Sequence, residues 1–408
     1  MSYGQAVNAL TINLKINDTF AKANIFESAG NELLLWFPSE YGNQGEYRNI
    51  AKKISQFGVE VWIIDMFAMN YLSPSPNSIR QISEFQISEV INQVIRYSSK
   101  RVWLFSSERG AQLALRGLYE WQKKNPENND VLGGAVLLNP NLFYGFPPTG
   151  LNPDFLPITS VINKPVAILQ SRLSKKYYYI DELVSQLKTG GAKVKMQTIP
   201  KVRERFHFRR YSEDIEDLTR KKHLHSLILR GIRDITPLAK NIKPNLNLPR
   251  VKALPNIGIP LDLVPLANPK KLDDFVLRDS KHKFWDTSKL RGNVLLLSFW
   301  PEWCNSCRYQ LKKLQEFKNL TKSNDFQLLS IYFDGTRGGI KKLIKRYKTT
   351  FPILRGNIEL IKQLNLREFP STLIIDKKGK IRYAMYGSVR SWNADNFKKI
   401  ISNLQREK

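Results

Sequence analysis

Cys304 and Cys307 are the only two cysteines in a chain of 408 residues, and they close the string Trp303-Cys304-Asn305-Ser306-Cys307. The apolar run Val294-Leu295-Leu296-Leu297-Ser298-Phe299-Trp300 precedes them and reads as a buried strand handing over to a helix. Thiol-disulfide exchange needs that arrangement. A helix N-terminus stabilises a thiolate at the first sulfur, and the second sulfur, one turn on, is placed to resolve a mixed disulfide. Any redox chemistry of this chain must use this pair, as a redox-active disulfide Cys304-Cys307 with no added cofactor. A structural zinc site needs four Cys or His ligands, and here no second cysteine pair exists and His282 is the only nearby histidine. No metal is expected.

The elements around the pair give the order of a βαβ unit followed by a ββα unit. Leu272-Asp273-Asp274-Phe275-Val276-Leu277 opens the region, and Leu290-Arg291-Gly292 leads into the strand before the cysteines. The pattern then predicts a helix over 304–320, a strand over 326–333, a helix over 339–347, a hairpin of 371–376 with 380–386 around Lys378-Gly379, and a closing helix over 393–405.

At these residues a family resemblance appears. Leu272-Asp273-Asp274-Phe275, the string from Leu290 to Cys304, and Phe369-Pro370-Ser371-Thr372-Leu373-Ile374-Ile375-Asp376 resemble the TlpA-like branch of thioredoxin-fold disulfide reductases, over about residues 270–408. The resemblance implies that Cys304 attacks and Cys307 resolves. It also implies a cis bond between Phe369 and Pro370, whose backbone edge would meet an extended substrate, and Trp300 and Trp303 covering the site. Protein thiols or disulfides and an upstream reductase would be its partners, in a periplasm or secreted. The start Met1-Ser2-Tyr3-Gly4-Gln5-Ala6-Val7-Asn8 lacks the basic and apolar regions of a signal peptide, which leaves a cytoplasmic chain as the alternative.

The sequence also departs from that family. Thioredoxins proper carry a buried aspartate where this chain has Ser298, and many TlpA-like reductases carry a glutamate where it has Gln310. Asn305-Ser306 lacks the usual proline between the cysteines. Both expected places for a buried acid-base are therefore neutral. Three outcomes stay open: Glu302 or Glu368 supplies the proton, solvent supplies it at an exposed site, or exchange is slow and binding dominates.

The first half alternates strands and amphipathic helices, the pattern of a doubly wound α/β sheet. Strands are expected over 33–37, 59–65, 102–106, 134–139, 166–170 and 193–199, after a leading hairpin of 11–15 with 21–26. Helices are expected over 47–57, 79–97, 110–124 and 180–188. Leu33-Leu34-Leu35-Trp36-Phe37-Pro38, Gly58 to Asp65, and Val102-Trp103-Leu104-Phe105-Ser106-Ser107-Glu108-Arg109-Gly110 resemble the corresponding segments of α/β-hydrolases. That resemblance places Glu108 at the nucleophile position of the elbow, with Ser107 one residue early and His207 near the family's histidine. The expected acid is absent directly after Gln170, where the chain reads Ser171-Arg172-Leu173-Ser174, and Ser39-Glu40 stands where a His-Gly pair is usual. The expectation is a binding or docking module without a working triad, with Glu108 paired to Arg109 or Arg172 in the old pocket. His223 and His225, two apart on a helix read over 212–230, are not expected to share a metal.

The fold class is thus α/β, an α/β-hydrolase-like doubly wound sheet followed by a thioredoxin-like domain. The expected limits are 1–232 for the first domain, 233–268 for a strap punctuated by six prolines, with Pro269 just beyond it, and 269–408 for the second. The 64 basic and 36 acidic residues leave a net charge of +28. The excess is about +4 over 1–200, about +7 over 201–269 and about +17 over 270–408. A field of that sign attracts acidic proteins or an anionic membrane surface. No nucleic acid is expected, since the chain has no zinc-finger spacing or RNA-binding aromatic signature. No stretch approaches the roughly 18 to 20 apolar residues of a membrane span. Two further readings stand beside the oxidoreductase: a non-catalytic binding or assembly protein using both domains as scaffolds, and a hydrolase working through Ser107 or His207.

Overall fold

The computed structural model describes residues 9–16, 19–127, 129–144, 153–208, 215–240, 242–243, 264–266, 268–321, 325–334, 337–364, 366, 369–386 and 394–407. Of these, 129, 215, 264, 305, 306, 308, 309, 337–339 and 386 are described by their backbone alone. Two compact units divide the chain, 1–144 with 154–253 and 254–408 with 145–153. The strap expected between the domains falls largely outside the described residues.

The first unit contains strands β1 (Leu10–Ile16), β2 (Thr19–Phe26), β3 (Glu32–Phe37), β4 (Val59–Ile64), β5 (Arg101–Ser107), β6 (Leu132–Leu138), β7 (Val166–Leu173) and β8 (Val194–Arg203). Its helices are α1 (Gly45–Gln56), α2 (Met66–Met69), α3 (Pro76–Gln81), α4 (Glu84–Ser98), α5 (Gly110–Lys124), α6 (Ile180–Thr189), α7 (Ile215–Lys222) and α8 (Leu224–Ile235). The strands form one sheet in the order β1-β2-β4-β3-β5-β6-β7-β8. β1, β2 and β4 pair antiparallel, and every pairing from β4 through β3 to β8 is parallel. Both faces are covered, so the central strands are largely apolar, with Glu60 of β4 and Ser106 and Ser107 of β5 as buried polar exceptions. Leu33, Leu35, Val102, Leu104, Ala135 and Leu137 point toward one core, and Leu34, Trp36, Trp103, Phe105, Val136 and Leu138 toward the other. The second core continues to Ile235 and Ala239.

Two helices expected as continuous are broken. The segment 79–97 divides because Ser83 caps α4, its Oγ accepting from the Gln86 amide, and a second cap at Ser75 starts α3 with Pro76 in the first turn. The segment 212–230 divides at His223, which precedes α8, and Ser212, its expected cap, lies outside the described residues. The His223 and His225 rings therefore stack across that break with centroids 6.4 Å apart, where one continuous helix would have splayed them.

The second unit contains β9 (Val264–Pro265), β10 (Val276–Asp279), β11 (Phe284–Asp286), β12 (Val294–Pro301), β13 (Phe326–Phe333), β14 (Ile353–Arg355), β15 (Ser371–Ile375) and β16 (Ile381–Tyr386). Its helices are α9 (Asn305–Leu320), α10 (Arg337–Tyr347), α11 (Ile358–Gln363) and α12 (Ala394–Arg406). The sheet order is β11-β10-β14-β13-β12-β15-β16-β9, with β12, β13 and β14 parallel and β15 antiparallel to β12. β12 is central and buried at all eight positions. The hairpin of β15 and β16 turns where Asp376 Oδ1 accepts from the Lys378 and Lys380 amides and Gly379 takes a φ of +82°. Among the described residues no helix is long and apolar enough to cross a membrane.

Candidate active site

β12 delivers the cysteines to its own carboxyl end, in the middle of the second sheet. Pro301 ends the strand, and its carbonyl accepts from the Cys304 amide at 3.1 Å, which turns the chain into α9. Cys304 is the N-cap of that helix, and its Sγ accepts from the Cys307 amide at 3.2 Å. The sulfur thus receives an amide that the helix leaves unpaired, in the position where a thiolate gains most from the helix dipole. Cys304 and Cys307 are joined as a disulfide, with Cα atoms 5.3 Å apart.

The Phe369–Pro370 peptide bond is cis. The Phe369 carbonyl oxygen lies 3.8 Å from Cys304 Sγ, and its ring packs on Phe333 at 4.9 Å. Pro370 is buried beside it. Both cysteines are buried as well, Cys304 at 5 % exposure and Cys307 at 1 %. Of the three outcomes left open above, this burial speaks against the exposed, solvent-served site, since Cys304 is met by the Phe369 carbonyl.

Trp300 does not cover the site. Its side chain is fully buried, donates from Nε1 to Ser330 Oγ at 2.6 Å and meets the Tyr332 ring edge-on at 4.7 Å. The alternation of β12 sends it to the face that carries Ser298, into the sheet packing. Trp303 is half-buried and donates to Asp334 Oδ2 at 3.1 Å. Glu302 is half-buried, its amide bonded to the Phe333 carbonyl, and Glu368 lies outside the described residues.

Beneath the disulfide lies a row of hydroxyls. Ser330, Ser298 and Thr372 are register partners on three adjacent strands, so their side chains share one face. Gln310, one turn after Cys307 on α9, donates from Nε2 to Thr372 Oγ1 at 2.5 Å. Ser298 Oγ and Gln310 Oε1 are buried without a hydrogen-bond partner. The row is polar and holds no carboxylate.

Residues 269–384 match the AhpC/TSA family. The ResA thiol-disulfide oxidoreductase of Geobacillus kaustophilus is 27 % identical over 117 residues, 28 % of this chain and 67 % of that protein. ResA of Bacillus thuringiensis subsp. konkukian is 25 % identical over 135 residues, 33 % of this chain and 78 % of its own. Among solved structures, a thioredoxin-family thiol:disulfide interchange protein from Chlorobium tepidum is 19 % identical, with 34 % of this chain and 98 % of that one covered and a TM-score of 0.31. StoA from Bacillus subtilis is 23 % identical, with 31 % and 95 % covered and a TM-score of 0.28. The C-terminal part of this chain is thus a thioredoxin-fold domain with thiol-disulfide oxidoreductase relatives, and the matches span no more than about a third of the chain.

In the first unit, β5 ends in a tight turn at Glu108, whose φ is +54°. A non-glycine residue in that region costs roughly 1 to 2 kcal/mol. Neighbouring bonds hold it there: the Glu108 amide donates to Leu138 O, and the Asn141 amide donates to Glu108 O. Gly110 lets the turn close, since a Cβ there would lie 2.1 Å from Ser106 Oγ and 3.0 Å from Pro38 O.

The expected pairing of Glu108 with Arg109 or Arg172 is replaced by one with Lys176, because the buried turn points the carboxylate inward. Lys176 Nζ donates to Glu108 Oε2 and to Asn139 O and lies 3.5 Å from Glu204. Arg109 instead bonds Glu40 at 2.9 Å, and Arg172 lies over the Tyr177 ring. Burial pushes the Glu108 carboxyl up to about 7, with Lys176 pulling against it and Glu204 adding to it. Burial alone would lower the Lys176 ammonium, but the two carboxylates raise it.

His207 is fully buried with neither ring nitrogen bonded. It stacks on Tyr47 at 6.1 Å and meets Phe208 edge-on at 4.6 Å. Burial, then the charges of Lys221, Lys176 and Arg205, push its imidazolium down to about 3. Ser107, the last residue of β5, is buried with an unbonded Oγ. Sequence reasoning missed Lys176 because its signal, one lysine in Ser174-Lys175-Lys176-Tyr177, is indistinguishable from a surface lysine.

Proposed function

We propose that this chain is a thiol-disulfide oxidoreductase that reduces protein disulfides, with its N-terminal unit as a binding or docking module. In the reduced enzyme the Cys304 thiolate attacks one sulfur of a substrate disulfide, forming a mixed disulfide and expelling a substrate thiolate that takes up a proton. Cys307 then loses its proton and attacks Cys304 Sγ, expelling the second substrate thiolate and leaving Cys304-Cys307 oxidised. Two electrons pass to the substrate, and a dithiol reductase upstream must return them.

The observation that carries this reading is Cys304 Sγ at the N-cap of α9, beside the Phe369 carbonyl. That backbone edge is suited to an extended polypeptide approaching the sulfur. The C-terminal domain fits the TlpA-like branch best, and Pro370, Phe369 and Trp303 are its site-shaping residues. We assign it to a periplasmic or secreted setting, where substrate disulfides form and persist. The Cys304→Ala variant should lose insulin-disulfide reduction entirely, and full activity in that variant would sink the proposal.

For the N-terminal unit we favour an α/β-hydrolase-like domain without hydrolysis. The strand order β1-β2-β4-β3-β5-β6-β7-β8 and the left-handed turn at Glu108 support the architecture. The nucleophile position is taken by a carboxylate paired to Lys176, and His207 has no acidic partner bonded to it. Turnover on a panel of short-chain esters, dependent on Ser107 or His207, would overturn this part.

A further inference from the structure

The sheet of the second unit carries two arginines directly opposite each other. Arg278 of β10 and Arg355 of β14 are antiparallel register partners, so their side chains leave the same face side by side. Like charges in that relation repel, and neither arginine is ion-paired among the described residues. The row continues on both sides by register: Phe284, Arg278, Arg355, Tyr332, Trp300. The Arg278 guanidinium sits 4.5 Å from the Phe284 ring centroid, which holds it extended over the sheet.

A cavity of about 230 Å³ opens over this row, lined by Arg278, Arg355, Lys341 and His282, with Tyr332 and Ile340 buried beneath. At about 30 Å³ per water it has room for several waters or one polar side chain. One carboxylate, Asp279, also lines it, but that group is already used. Its Oδ1 accepts from the Lys281 and Lys283 amides at 2.8 and 2.9 Å, and its Oδ2 from the Trp285 indole at 3.0 Å. The cavity therefore presents three basic side chains and a histidine against one carboxylate whose oxygens are already hydrogen-bonded.

Its location matters as much as its charge. Tyr332 and Arg355 stand at the carboxyl ends of the parallel strands β13 and β14, the end of a sheet at which α/β proteins bind ligands. Trp300, next in the row, precedes Cys304 by four residues, and strands are spaced by roughly 4.8 Å. By that spacing Arg355 lies about 10 Å and Arg278 about 14 Å from Trp300, a span that a few residues of extended chain cover. The long-range field agrees, since residues 270–408 hold 30 basic and 13 acidic residues.

We propose that the cavity between Arg278, Arg355, Lys341 and His282 docks an acidic side chain of the protein whose disulfide Cys304 attacks, so that the favoured substrates are acidic near their cysteines. The proposal rests on Cys304 and Cys307 as a reducing pair. The two cations facing each other are the recognition element and Lys341 closes the third side.

The test uses the full chain and two disulfide-linked fluorescent peptides that differ only in a flank of Asp and Glu against Asn and Gln. At low salt the reduced protein should react about five- to tenfold faster with the acidic peptide, and the preference should collapse near 300 mM salt. The Arg278→Gln/Arg355→Gln variant should lose the preference while its rate with the neutral peptide stays unchanged. Equal rates in the wild type, or a preference that survives in the variant, would overturn the docking site. Failure to reduce either peptide would instead count against the redox reading, and the site is then judged by fluorescence anisotropy on the oxidised protein. There the acidic peptide should bind and the double variant should release it. Binding of inorganic phosphate without binding of the peptide would overturn the proposal. Should the double variant misfold, Lys341→Gln serves as the second variant, with a partial loss of preference expected and an unchanged preference counting against the site.

Discussion

Gln310 of α9 donates to Thr372 of β15 across 2.5 Å, one helical turn below Cys307. This bond occupies the neutral layer beneath the disulfide and leaves Gln310 Oε1 and the neighbouring Ser298 Oγ unbonded and buried. A Gln310→Glu variant would place a titrating group in this layer without changing side-chain length. Burial raises a carboxyl there, so it would hold its proton nearer neutrality and exchange it with Cys307. We expect a new inflection in the pH profile of single-turnover disulfide reduction and a rate at pH 7 higher by about tenfold. Gln310→Leu should add no inflection and should cost about 1 kcal/mol of stability. A Gln310→Glu profile superimposable on the wild type between pH 5 and 9 would remove this layer from the proton route and return attention to Glu302 and Glu368.

Glu108 and Lys176 form the corresponding buried feature of the first unit. The folded state holds the Glu108 proton up to about pH 7, whereas an exposed glutamate releases it near 4.5. Between those values the folded chain binds more protons than the unfolded one. Stability from this group is therefore lost as pH rises from about 4.5 to about 7, with a slope of at most about 1.4 kcal/mol per pH unit. Glu108→Gln abolishes that slope, and its melting temperature should improve relative to the wild type as pH rises through the window. Lys176→Met strands two carboxylates and should cost about 3–5 kcal/mol at neutral pH by chemical denaturation.

Much of this molecule was legible in the sequence. The alternation of apolar runs and amphipathic stretches gave the strands of the first sheet to within a few residues, because strands covered on both faces have few polar interruptions. Phe369-Pro370 and the cysteine pair were legible because few other residue types can serve at those positions. What escaped were features decided by tertiary geometry. Ser83 looks like any helix serine until it caps α4, and Lys176 looks like any lysine until a left-handed turn aims Glu108 at it. Trp300 sits next to the site in sequence, yet strand alternation turns it into the packing against Ser330. The Arg278 and Arg355 pair depends on a register between strands more than 70 residues apart, which no local pattern encodes.

His207 offers a pH effect of the opposite sign. Its folded imidazole resists protonation until about pH 3, while in the unfolded chain it protonates near 6.5. The unfolded state then binds more protons between those values, so wild-type stability from this group is present above about pH 6.5 and lost as pH falls. His207→Phe keeps the ring packing against Tyr47 and Phe208 and removes two unbonded nitrogens. The variant should gain over the wild type by a margin that widens from pH 6.5 to pH 4, measured by thermal melts. Between about 4.5 and 6.5 the Glu108 and His207 contributions oppose each other, so the wild type should be flatter in pH than either single variant.

The resolving role of Cys307 predicts which variant captures substrates. With Cys307→Ser, Cys304 still attacks a substrate disulfide, but no second sulfur is available to expel the bound chain. The mixed disulfide on Cys304 then persists until an external thiol cleaves it. Because Cys307 is buried at 1 % exposure, the substitution leaves the surface around Cys304 and Phe369 unchanged. Non-reducing electrophoresis should show covalent adducts with Cys307→Ser that vanish on adding dithiothreitol and are absent from Cys304→Ala/Cys307→Ser. That double variant has no cysteine left, so any shifted band it shows would be non-covalent association. A Cys307→Ser variant that forms no adduct with a model protein disulfide, though Cys304 titrates as a free thiol, would show that the sulfur at the N-cap of α9 does not attack.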